Sequence, residues 1–74
     1  MMENNDPCQV WRNLIERLSQ GIRDFQDLLD SGEAPPGMEE RIRRQIERLQ
    51  RELTHARHEL ERCEQEAERA SESY

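Results

Sequence analysis

Apolar residues recur along this chain at alternating steps of three and four. In the first half they fall at Cys8, Trp11, Ile15, Leu18, Ile22, Phe25 and Leu29. In the second half they fall at Ile42, Ile46, Leu49, Leu53, Ala56, Leu60, Cys63, Ala67, Ala70 and Tyr74. This is the stripe of an α-helix written in heptads, not the every-second-residue alternation of a strand. The pattern predicts two helices, over about 7–30 and about 38–72, joined by a loop at 31–37, with residues 1–5 a flexible N-terminus and 6–74 one helical unit.

The ends of both stripes carry helix punctuation. Asp6 can accept from free N–H groups at a helix start, and Pro7 suits the first helical position, where no hydrogen bond is lost. Gln9 follows Asp6 at the spacing of a capping box. The stretch DSGEAPPG (30–37) ends the first helix. Gly32 suits a left-handed C-terminal residue, and Pro35-Pro36 cannot continue the ladder. Glu39 and Glu40 complement the positive end of the second helix.

A short connection makes consecutive helices antiparallel neighbours. Setting Leu29 against Ile42 then pairs Phe25 with Ile46, Ile22 with Leu49, Leu18 with Leu53, Ile15 with Ala56 and Trp11 with Leu60. The next layer sets Cys8 against Cys63. Each layer opposes an a position to a d position, as antiparallel packing requires. The expected fold is therefore all-α, an antiparallel coiled-coil-like hairpin with its cysteines in one layer at the open end.

Three states of that cysteine pair follow from the sequence. A disulfide would close a loop of about 55 residues, worth roughly 4 kcal/mol by chain entropy. Two reduced thiols would serve as small core residues, the ordinary state in a reducing cytosol. A bridge to a second chain is the third.

The two helices differ in the width of their apolar faces. The first carries Leu14, Gly21 and Leu28 at one flanking heptad position, with Val10 elsewhere on its surface. The second has a narrow seam flanked by Gln45, Glu52, Glu59 and Glu66. One partner helix cannot cover the wider face, and a two-helix hairpin of this size is marginal by itself. Both points favour a homodimer forming a four-helix bundle, or a protein partner seated on helix 1. Val10, Leu14, Ile22 and Leu28 border the expected surface.

Charge removes several functional classes. The net charge is −6, and every cation is Arg. Nucleic acid and anionic membranes would meet net repulsion. The second helix does carry a ridge with Arg41, Arg44, Arg48, Arg51, His55, His58, Arg62 and Arg69 on positions assigned to the face opposite the seam. A nucleic-acid-binding hairpin using Arg41, Arg44, Arg48 and Arg51 is the alternative this ridge suggests. Glu40 before Arg44, Glu47 before Arg51, Glu59 before Arg62 and Glu66 before Arg69 argue instead for a solvated face of ion pairs.

No metal site and no cofactor are expected, since His55 and His58 lack a third ligand. No catalytic grouping can be drawn on a hairpin without a cleft, so the expectation is a non-enzyme. The N-terminus lacks the basic and apolar segments of a signal peptide, and no apolar run approaches a membrane span. The expected location is cytoplasmic.

In architecture the hairpin resembles Rop-type RNA-binding dimers, and in size the small helical co-chaperones of type III secretion. LLDSGEAPPGMEE is similar to the helix–loop–helix of exonuclease VII small subunits over about a dozen residues. These likenesses are general and assign no family. The functional expectation is a small adaptor, regulator or inhibitor that binds protein through helix 1. The alternatives are the nucleic-acid hairpin and a redox-gated hairpin switched by Cys8 and Cys63.

Overall fold

A computed structural model of the chain describes residues 6–72, with side chains described as far as Ala70. The expected flexible segment 1–5 and the last seam residue, Tyr74, lie outside the described residues. Two helices, α1 (Gln9–Asp30) and α2 (Glu39–Glu72), pack along each other. The start of α1 is bonded to a point late in α2, so the two run antiparallel. Among the described residues there is no strand.

The helix ends follow the punctuation with one shift. α1 begins two residues later than the sequence suggested, and Cys8, already in helical backbone geometry, precedes it. Asp6 still acts there: its Oδ1 accepts from the Cys8 N–H at 3.0 Å, and its carbonyl accepts from Gln9 N–H at 3.1 Å. The reciprocal half of a capping box is not what Gln9 does. Its amide bonds Asn13 at 3.0 Å and receives Arg12 Nη1 at 3.3 Å, contacts one turn ahead rather than behind. Past α1 the chain reverses through two left-handed residues, Gly32 (φ 75°) and Gly37 (φ 87°). Only glycine takes this geometry without a Cβ penalty. Glu39 and Glu40 occupy the first turn of α2.

Leu18 and Ile22 of α1 are buried against Ile42, Ile46, Leu53 and Ala56 of α2, and Cys8, just before α1, is buried at the open end. All seven are seam positions. No polar or charged residue among those described is buried, so burial of apolar surface drives the packing between the helices. Around it Trp11, Leu14, Ile15, Phe25, Leu28, Leu29, Ala34 and Leu49 pack while staying partly exposed.

The reason for that partial exposure is the shape. The molecule measures 60 × 26 × 13 Å, and 13 Å is little more than the diameter of one helix with its side chains, about 10–12 Å. The fold is one layer, two helices wide. Its radius of gyration is 17.1 Å, against about 11 Å for a compact domain of this length. A single layer gives its seam two open sides, and residues flanking the seam have nothing above them.

Candidate functional site

Two regions carry more than generic surface: the bonded open end, and the flank of α1. The open end is built on Cys8 and Cys63, whose side chains form a disulfide with their Cα atoms 5.7 Å apart. That spacing lies inside the ordinary disulfide range. Of the states the sequence left open, this structure has the intrachain staple, and the described residues hold no free cysteine. Cys8 is almost fully covered, 2% exposed, while Cys63 is half-buried.

Charged residues wrap the staple. Arg12 Nη1 donates to Asp6 Oδ2 at 2.8 Å and its Nη2 donates to Glu64 Oε2 at 3.1 Å, so one guanidinium ties the lead-in to α1 to the turn of α2 beside Cys63. Arg suits this role because its planar fork presents two donors in fixed directions. The Arg12 hydrogen bond, with the Cys8 N–H second, holds the Asp6 carboxyl below its ordinary value. Hydrogen bonds to Asp6, and then to Glu64, push the Arg12 guanidinium up.

Sequence reasoning assigned Asp6 only to helix capping and missed Arg12 and Glu64. Both occupy the same flanking heptad position, which antiparallel helices bring face to face. Applied beyond the apolar seam, the same register would have found them. Past the staple, Ala67 and Ala70 on the α2 stripe are exposed.

The flank of α1 holds the residues picked out for binding, and the structure divides them. Val10 stands 66% exposed. Leu14 and Leu28 are half-covered, resting on the edge of the core. Ile22 is only 8% exposed. It is a seam residue already enclosed by α2, so it supports the flank from beneath instead of lining it. Gly21 sits between Leu14 and Leu28, with Leu49 Cδ1 of α2 lying 3.5 Å from where its Cβ would stand.

The Arg ridge of α2 is an ion-paired surface in part. Arg44 meets Glu40 at 3.6 Å and Arg62 meets Glu59 at 3.5 Å, as the spacing suggested. Arg48 pairs forward with Glu52 at 3.9 Å. Pairs of Arg51 with Glu47 and of Arg69 with Glu66 are not formed among the described residues. Arg41 is exposed beside Phe25, Met38 and Ile42, at the loop end. His55 is misplaced by the heptad reading, which put it opposite the seam. Its ring meets Trp11 edge-on, with centroids 6.2 Å apart, so it borders the seam. A large indole at a seam position reaches past its own layer, and a one-layer fold leaves room for it to do so. Among the described residues no three His, Cys, Asp or Glu side chains converge to hold a metal ion. The surface hollows are open and shallow, and none encloses a reacting group.

No protein-family model matches this chain, and neither a curated protein nor a solved structure matches it. No helix among the described residues is long and apolar enough to cross a membrane.

Proposed function

We propose that the chain is a non-enzymatic protein-interaction module, a small adaptor, regulator or inhibitor, that binds through the flank of α1 and pairs its hairpin into a four-helix bundle. The observation that supports this is the half-covered apolar line Leu14–Leu28, with exposed Val10 on the same side, in a fold one layer thick. Apolar surface in that position gains from any helix laid over it. The staple makes the platform rigid at its open end, which reduces the entropy lost on binding.

The test is site-specific photo-crosslinking in cells. A photo-reactive residue at Val10 is expected to give discrete adducts with protein, while one at Thr54, exposed on α2, gives none. Absence of adducts at Val10, or equal adducts at both sites, overturns the reading. A nucleic-acid adduct from a probe at Arg48 would move the assignment to the Arg ridge.

A second reading is supported by the staple itself: a hairpin gated by the redox state of Cys8 and Cys63. A thiol reductant would convert the disulfide to two thiols and free the open end. Circular dichroism with and without reductant tests it, and unchanged helix content and melting temperature would end it.

A further inference from the structure

The α1 flank is laid out symmetrically about one residue. Leu14 and Leu28 stand seven residues to either side of Gly21, nearly in line along the helix, since a heptad drifts by only about 20°. Arg17 lies four residues before Gly21 and Asp24 three after it, both on the solvent side of that line and both exposed. Leu18, three residues before Gly21, and Phe25, four after it, border the line on the seam side. In either direction from Gly21 the flank presents a charged residue and then a leucine, with charges of opposite sign on the two sides.

Gly21 is half-buried on this flank, with Leu49 of α2 beside it. A glycine inside a helix costs roughly 1 kcal/mol relative to alanine, so a reason for it is worth seeking. The hairpin supplies none. Gly21 has ordinary helical backbone, since the only positive-φ glycines are Gly32 and Gly37. A Cβ there would meet Leu49 Cδ1 at 3.5 Å, an ordinary van der Waals contact. Without a side chain the flank stays low at Gly21, which leaves room for another helix to come close.

The charges are arranged to match. Arg17 forms no ion pair with any described residue, and Asp24 only receives an amide hydrogen bond from Gln20 at 3.0 Å. On the facing edge of α2, by contrast, Glu52 and Glu59 are already paired with Arg48 and Arg62. The open charges along this line are one cation and one anion, one on either side of Gly21.

From these features we infer that the occupant of the α1 flank is a second copy of this chain, its α1 antiparallel to the first, with the two-fold axis passing beside Gly21. The inference rests on the reading of this flank as an interaction surface and names its partner. In the paired form Leu14 of each copy packs on the other's Leu28, and the two Gly21 backbones approach at the axis. Arg17 of each copy meets the other's Asp24. Such a two-fold contact is self-complementary by construction. The layer gains the second face that its thickness lacks.

Charge reversal in trans tests the register. Arg17→Asp alone sets the introduced carboxylate against the other copy's Asp24 at both ends, and Asp24→Arg alone sets two guanidinium pairs together. Each variant is expected to weaken self-association about tenfold. An equimolar mixture of the two variants restores opposite-charge pairing, and with it dimerisation near the wild-type level. Sedimentation equilibrium reads all four samples, with circular dichroism confirming that these exposed substitutions leave the helices intact. A parallel pairing predicts a different pattern, because the wild type would already hold like charges together and single reversals would not weaken it further.

A wild-type dimer indifferent to both variants overturns the register. A wild type that stays monomeric to hundreds of micromolar overturns the second copy as occupant. The photo-crosslink at Val10 then decides separately whether the flank binds a different protein.

Discussion

Cys8 and Cys63 stand with their Cα atoms 5.7 Å apart and are bonded, although 55 residues of sequence separate them. The bond fixes the register of the whole hairpin, because each helix is rigid from that layer to the loop. With Gly32 and Gly37 turning the chain at the other end, the two helices are tied at both ends. The apolar seam between them is held in a single alignment.

Removing that tie should cost the hairpin about 4 kcal/mol, the chain entropy of a loop this long. For a single-layer fold this is a large share of its stability. Urea titrations of the protein with and without reductant, at low micromolar concentration so that association does not contribute, should differ by that amount. The Cys8→Ala/Cys63→Ala variant should match the reduced protein. Equal midpoints in all samples would show that the seam alone holds the hairpin.

Acid should loosen the open end through Asp6. Its carboxyl is held below its unfolded value by Arg12 and by the Cys8 N–H. A group with a lowered folded value contributes stability above its unfolded pKa, near 3.9, and loses it as pH falls through the folded one. Asp6→Asn should therefore destabilise the protein at neutral pH and flatten the acid limb of a melting-temperature profile. Wild type and variant should converge at the lowest pH. A constant gap at all pH values would mean that Asp6 acts by shape and not by charge.

Three substitutions to alanine separate the roles of the glycines. Gly32→Ala and Gly37→Ala place a side chain at φ 75° and 87° and should each destabilise by about 1 kcal/mol. Gly21→Ala should stabilise the dilute hairpin by up to about 1 kcal/mol while weakening self-association. Thermal melts at low concentration and sedimentation at high concentration report the two effects independently.

Ala56, fully buried, marks the tightest point of the seam. Ala56→Leu should overpack it and cost about 1–3 kcal/mol. Ala67→Leu, at an exposed position of the same stripe, should stay within about 0.5 kcal/mol. Chemical denaturation of the two variants checks the contrast. Equal effects would mean that the seam continues past the staple.

Much of this was legible in the heptad spacing. The stripes at Trp11–Leu29 and Ile42–Cys63 pointed to two helices, and the turn chemistry of DSGEAPPG pointed to a hairpin. One alignment of the stripes sets Cys8 opposite Cys63. The candidate surface was less legible. Ile22 was grouped with Leu14 and Leu28 because all are apolar, yet α2 encloses Ile22 and leaves the other two half-covered. His55 was placed on the outer face by its heptad letter, but the Trp11 ring extends to meet it. Arg12 passed as one more surface cation, because its partners lie six and fifty-two positions away.

The sequence by itself determined the elements and their order, because helix periodicity, capping residues and glycine turns act over distances of a few residues. It also determined the register, because the short loop selects one among the heptad-spaced alignments that bury both stripes. What only the tertiary structure decided is which flanking side chains the neighbouring helix covers and that the Trp11 ring reaches His55. Those depend on how far each side chain reaches across a gap between helices, a distance that no spacing along one chain encodes.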